Sequence, residues 1–318
     1  MHPRWRRCSS LKYSRHGDGI QLRIETKTIV LAAVLIAASG FAFGQDQPSP
    51  GSDQFVFVGA GDIANCDLLG GARATAGLLD GIAGTVFTLG DHAYARGTAG
   101  EFSRCYEPTW GRHKARTRPT PGNHDYLTDR GRPYFDYFGA AAGSDQRGYY
   151  SFELGDWHII SLNSSMPRTL PLQMKWLRED LAAHAADCVL AYWHAPVFSS
   201  GPHTPDPGMQ QIWSILYKAG ADVVLNGHDH IYERFAPQDD RGKPDAEHGI
   251  RQFIAGTGGG GVYKLGRIAR NSEVHSNSAY GVLKLTLSPG RYAWEFVPIP
   301  GASFRDEGTA SCVAPRQK

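Results

Sequence analysis

Short apolar runs recur along the chain, and each stops at a small polar cluster. FVFVGA runs into Gly61 and Asp62, TVFTL into GDHAY (Asp91 to Tyr94), CVLAYW into His194, and ADVVLN into GHDHIYER with its His228 and His230. A fifth cluster, GNHD at Asn123 and His124, follows the less apolar RTRPTP. Runs this short and this rich in β-branched and aromatic residues predict buried strands. Ligands in open α/β sheets gather beyond the carboxyl ends of the strands. Distant stretches of chain are therefore expected to deliver polar groups to one rim.

Between the strands the spacing turns helical. A helix is expected around Arg73 to Asp80. A second is expected from Leu172 to Ala186 after Pro171, with Trp176, Leu177 and Leu181 on one face. A third runs from Gln210 to Ala219 and is closed by Gly220. YYSFELGDWHIIS reads as two strands joined by a Gly-Asp turn. Residues 101–120 read as irregular, and the basic run GRHKARTRP within them as a solvated loop face rather than a phosphate clamp. After His230, IRQFIAG, GVLKLTLSPG and RYAWEFVPI predict further strands. The glycines from Gly256 to Gly261 lack a following Lys-Ser/Thr, so they predict a close-packed turn and not a phosphate-binding loop. Strands alternating with helices first, and mostly strands later, imply an α/β architecture of two sheets with helices outside.

The amino-terminal segment breaks this pattern. Residues 1–27 hold seven Lys/Arg against Asp18 and Glu25, and an uncharged apolar stretch from Ile29 to Phe43 follows. That order is expected of an export signal spanning 1–44, with 45–54 as a Pro/Gly/Ser-rich linker and 55–318 as the domain. The apolar stretch falls short of the ~20 residues of a spanning helix. Export to a secreted or periplasmic location follows, without stable membrane association once the signal is cleaved; a segment retained as an uncleaved anchor is the alternative. Removing the seven basic and two acidic residues of 1–44 from the 33 and 31 of the whole chain leaves 26 against 29. That balance provides no basic field for nucleic acid. Outside the leader, Cys66, Cys105, Cys188 and Cys312 remain, an even number that suits two disulfides in an oxidising compartment. Of three pairings, Cys66–Cys105 with Cys188–Cys312 is favoured, because Cys66 and Cys105 both sit on loops just after polar clusters.

The five clusters together offer carboxylate, amide, phenol and imidazole donors. This set suits two hard or borderline cations such as Fe, Mn or Zn, with one carboxylate shared between them. Paired ions of this kind form a clamp for displacement at phosphorus. The ordered set GD, GDxxY, GNHD, an imidazole after an apolar strand, and GHxHxYER resembles the purple acid phosphatase branch of the calcineurin-like metallophosphoesterases, over roughly residues 55–302. The resemblance implies a four-layer αββα sandwich of two mixed sheets. It implies Asp62, Tyr94 and His230 as ligands of Fe(III), Asp91 as the bridge, and Asn123, His194 and His228 as ligands of a divalent Fe, Zn or Mn. His124 and His203 would assist at the phosphate or the leaving group. The implied activity is hydrolysis of small phosphate monoesters by in-line attack of a metal-bound hydroxide. A phosphodiesterase or nucleotidase using the same centre, or a catalytically silent metal-binding protein, stay open as alternatives. Asp125, Tyr232, Glu233 and Arg234 are expected to orient the imidazoles. His92 departs from the family pattern, and Thr204 stands where a second histidine is common beside the position of His203. His113, His158, His184, His248 and His275 match no motif and read as ordinary histidines.

Overall fold

The computed structural model describes residues 54–313. The leader predicted over 1–44 and nearly all of the linker predicted over 45–54 lie outside the described residues. The first half lays down β1 (Phe55–Ala60), β2 (Ala64–Asn65), α1 (Leu69–Asp80), β3 (Thr85–Leu89), β4 (Ala93–Tyr94), the single turn α2 (Ala99–Glu101) and β5 (Thr117–Thr120). Then come α3 (Arg132–Phe138), β6 (Tyr150–Leu154), β7 (Trp157–Ser161), α4 (Leu170–Ala183), β8 (Cys188–Tyr192), α5 (Pro207–Ala219) and β9 (Val223–Asn226). The chain finishes with β10 (Tyr232–Phe235), β11 (Arg251–Ala255), β12 (Ser272–Ser276), β13 (Gly281–Ser288), β14 (Arg291–Pro298) and β15 (Glu307–Ser311).

These strands make two large mixed sheets. One has the order β15-β14-β13-β1-β3-β5 and the other β12-β10-β11-β9-β8-β7-β6. Side chains alternate between faces along each strand, and this alternation builds the layers. Phe57 and Phe87 point inward, against Tyr192, Leu190 and Phe253 of the opposite sheet. Their neighbours Val58 and Val86 point outward onto Ala72, Ala76 and Leu79 of α1. On the second sheet Ile160, Ala191 and Val224 meet Leu177 of α4 and Ile212, Trp213 and Leu216 of α5. Helices therefore cover both outer faces, as the four-layer expectation required. Burying each such side chain contributes roughly 1.5–3 kcal/mol.

Local signals explain the helix limits. Asp206 caps α5 by accepting from the Gly208 N–H, and Gly220 ends it in the left-handed region at φ 83°. The helix predicted from Arg73 begins four residues earlier, at Leu69, and the one predicted over 172–186 spans Leu170–Ala183. The region read as irregular over 101–120 is largely helical turns followed by β5. Phe102, Cys105, Tyr106 and Trp110 bury themselves on the outer face of the first sheet. Its basic run stays structural: Arg112 pairs with Asp80, and Arg116 donates to the carbonyls of Leu79, Ile82 and Gly84 at the end of α1 and just after it. The half-exposed edge strands β12 and β15 escaped the sequence reading because their Ser, Glu, His and Gly residues give little strand signal.

Both expected disulfides are present, with Cα separations of 5.3 Å for Cys66–Cys105 and 5.5 Å for Cys188–Cys312. Among the described residues no helix is long and apolar enough to cross a membrane.

Candidate metal centre

Strands β1, β3 and β5 are parallel neighbours, as are β8 and β9, so their carboxyl ends share one rim. The segment after β1 and the segment after β3 run side by side. Asp62 and Ile63 donate their N–H groups to the carbonyls of Gly90 and Asp91, and β2 pairs with β4. Asp62, Asp91 and His228 adopt left-handed backbones at φ 60°, 52° and 70°. Such a conformation costs an L-residue roughly 1–2 kcal/mol. Three of the predicted donors thus bend the chain sharply where the strand stops. The glycine-rich turn closes the site from behind. A Cβ on Gly256 would lie 2.1 Å from the Asp229 carbonyl oxygen, and one on Gly260 would lie 2.6 Å from the Tyr94 ring.

All seven predicted donors converge. The Tyr94 hydroxyl lies 2.8 Å from Asp62 Oδ1, 3.0 Å from His230 Nε2 and 3.2 Å from Asp91 Oδ2. Asp91 Oδ2 is also 3.3 Å from His194 Nε2. That nitrogen in turn lies 2.9 Å from Asn123 Oδ1 and 3.1 Å from His228 Nδ1. Asp91 therefore stands between a group formed by Asp62, Tyr94 and His230 and a group formed by Asn123, His194 and His228. The outer carboxylate oxygens are pinned by backbone: Asp62 Oδ2 accepts from the His228 N–H and Asp91 Oδ1 from the His124 N–H.

The electrostatics show what the arrangement lacks. His194 Nδ1 donates to the Leu89 carbonyl at 2.6 Å, so in the neutral ring Nε2 carries a bare lone pair. That lone pair faces a carboxylate oxygen, an amide oxygen and another imidazole. Only a proton or a cation reconciles these groups. Without a metal the proton wins. Burial opposes charge on His194, yet Asp91 outweighs it and pushes the ring up to about 10. Burial and the neighbouring His194 push His228 down to about 3. Burial alone would raise both carboxyls, but His230 beside Asp62, and His194 beside Asp91, hold each below the usual carboxylate range. Burial and the two carboxylates push the Tyr94 phenol well up. A cation would take over the neutralising role of the His194 proton and would reverse the electrostatic pressure on Tyr94. The donor set fits cations, with oxygen and nitrogen ligands and no thiolate.

The two histidines expected to assist also reach this rim. His124 presents Nε2 4.0 Å from Asp91 Oδ2, with Nδ1 2.6 Å from the Ala95 carbonyl. His203 packs on His228 with ring centroids 4.0 Å apart, and its Nδ1 lies 2.7 Å from Asp229 Oδ1. His92 turns away from the cluster. It is buried among Phe102, Tyr106, Tyr134 and Phe138 and bonds to Thr88 and Asp125. Asp125 collects the N–H groups of Asp91, His92 and Gly122 and so fastens two donor loops together. The expectation that Tyr232, Glu233 and Arg234 orient the imidazoles needs correction. Tyr232 and Arg234 bond to Asp306, whereas Glu233 holds Ser200 in the loop that carries His203. These three sit on β10, past the turn that carries the imidazoles, so their partners lie in other loops, one earlier and one later in the chain. Tyr263 is a neighbour the sequence reading missed. Its ring lies flat on His230, with centroids 3.9 Å apart and planes 12° apart, and nothing in its local sequence signals this.

Residues 55–232 match the family model for calcineurin-like phosphoesterases. The chain is 27% identical over 187 residues to purple acid phosphatase 15 of Arabidopsis thaliana, covering 47% of this chain and 35% of that protein. It is 30% identical over 175 residues to the Fe(3+)-Zn(2+) purple acid phosphatase 12 of the same plant, covering 47% and 36%. These matches span about a third of each relative's length. In fold, the chain is similar to a purple acid phosphatase isolated from yellow lupin (Lupinus luteus) seeds. That likeness has a TM-score of 0.65 at 18% identity, over 82% of this chain and 54% of the other.

Proposed function

The chain belongs to the calcineurin-like phosphoesterase family, and from that premise we propose that it is an exported phosphoesterase acting on small phosphate monoesters through two metal ions. Asp62, Tyr94 and His230 would hold a ferric ion, Asn123, His194 and His228 a divalent Fe, Zn or Mn, and Asp91 would bridge them. Bound there, the pair supplies positive charge for the phosphate oxygens and an acidified water. The chain's own residues do the rest. Backbone N–H groups of His124 and His228 lock the outer oxygens of Asp91 and Asp62, leaving the inner oxygens to face the centre. The Leu89 carbonyl sets the tautomer of His194. His124 and His203 are both partly exposed at the rim. Each has one ring nitrogen engaged through Nδ1 and so keeps Nε2 to bind a phosphate oxygen or pass a proton to the leaving group. The two disulfides and the leader pattern support export.

The observation that carries this reading is the meeting of His194 Nε2, Asp91 Oδ2 and Asn123 Oδ1, three acceptors when the ring is neutral, with His228 Nδ1 beside them. Elemental analysis with a visible spectrum of the purified chain tests it. Two metals per chain, one of them iron, and a tyrosinate-to-iron absorption that disappears in Tyr94→Phe are expected. Colour that survives the substitution would exclude Tyr94 as a ligand. Parallel assays on a monoester and a diester, with faster turnover of the monoester expected, test the substrate class.

A further inference from the structure

At the opposite end of the second sheet, a strand and a helix bring together residues that are far apart in sequence and match no motif. His158 on β7 points Nε2 at Asp180 Oδ2 of α4, 2.8 Å away. His184, one turn after Asp180, places Nδ1 2.9 Å from the Asp180 backbone carbonyl and 3.4 Å from Asp180 Oδ1. The donor atoms of these three residues all lie within 4.8 Å of one another. From this we propose that His158, Asp180 and His184 form a separate site for a single divalent transition-metal ion of the zinc type, independent of the rim centre.

Two features of the surroundings suit a metal. First, His158 Nδ1 bonds to Glu153 Oε1 at 2.7 Å. A carboxylate behind the far nitrogen is the usual way a metal-binding imidazole is oriented and made more basic. The second feature is the Ser151 hydroxyl, which donates to Asp180 Oδ1 at 2.7 Å and steadies the central carboxylate from outside. Zinc bonds of ~2.0–2.2 Å to nitrogen and oxygen place tetrahedral ligand atoms roughly 3.3–3.5 Å apart. To take an ion, His184 Nδ1 would exchange the Asp180 carbonyl for it, and His158 Nε2 would retreat from Asp180 Oδ2 by roughly half an ångström. The His158 side chain is fully buried while that of His184 is 46% exposed, so an ion can enter from solvent and keep water as its remaining ligand.

The site is remote from the rim. His158 pairs with Val189 at the start of β8, and His194 follows five residues later, roughly 16 Å at ~3.3 Å per residue.

The test is zinc uptake by the full chain, stripped with a chelator, reloaded with excess zinc and freed of unbound metal. Wild type is expected to retain one more zinc per chain than His184→Ala, a substitution at a half-exposed position that should not disturb folding. Asp180→Asn is expected to lose the same single equivalent. The extra zinc should also raise the melting temperature of wild type above that of zinc-loaded His184→Ala. Equal zinc content in wild type and both variants would overturn the proposal and leave a protonated His158 held between two carboxylates. Because the comparison is a difference of one equivalent, it reads out independently of whether the rim centre holds two ions, one or none.

Discussion

The two ends of the strands treat polar groups in opposite ways. At the carboxyl end, three donors sit on left-handed backbones and acceptors face acceptors around His194. At the amino end of the second sheet, buried groups serve to cross-link distant segments. Asp222 accepts from the Val189 N–H there, and Cys188, the first residue of β8, is bonded to Cys312. One end concentrates unresolved electrostatics where a cation can act on substrate, and the other holds the sheets together. The histidine cluster around Asp180 is the exception, a small polar site built into the stabilising end.

The sharpest way to break this contrast is Asp91→Asn. As the carboxylate between both donor groups, its loss is expected to remove both metals together and cut phosphate-ester turnover by about 10³-fold or more. Metal analysis and initial rates check this, and loss of only one ion would argue against bridging. Removing the Cys188–Cys312 bond in the doubly substituted Cys188→Ala/Cys312→Ala chain should do the reverse. It releases a loop of 124 residues and is expected to cost ~3–5 kcal/mol of stability with little change in turnover. Denaturant unfolding alongside rates separates the two effects.

A finer probe is His158→Gln in metal-free protein. Burial opposes charge on His158, but Asp180 and Glu153 outweigh it and raise its pKa above the ordinary 6.5, while His158 and Ser151 hold Asp180 below 3.8 despite its burial. A raised imidazole stabilises the fold fully below about pH 6.5 and loses that contribution as pH rises through its folded value. A depressed carboxyl contributes above about pH 4 and loses its share as pH falls through its own. Wild type should therefore exceed His158→Gln by about 1–2 kcal/mol between roughly pH 4 and 6.5, with the gap narrowing above that window. Melting curves from pH 4 to 9 would show it, and a pH-independent gap would contradict the ion pair. Arg112→Ala, which breaks an exposed pair with Asp80, should change stability by under ~0.5 kcal/mol and serves as the baseline.

The linear order of residues determined the strands that end in donors, because a short apolar run followed by Gly-Asp, Gly-Asn-His or Gly-His-x-His records a strand and its terminal turn within a few positions. It determined the layered α/β class for the same reason, since periodicity is local. The favoured cysteine pairing also followed from the placement of Cys66 and Cys105 on loops after polar clusters. Contacts between distant segments belong to the tertiary structure alone. Only packing could turn His92 away to clamp Asp125, lay Tyr263 on His230, send Tyr232 and Arg234 to Asp306, and bring His158 beside His184. Each of these depends on which faces of remote strands and helices meet. Edge strands β12 and β15 belong there too, since pairing with a neighbour, rather than their own propensity, makes them strands.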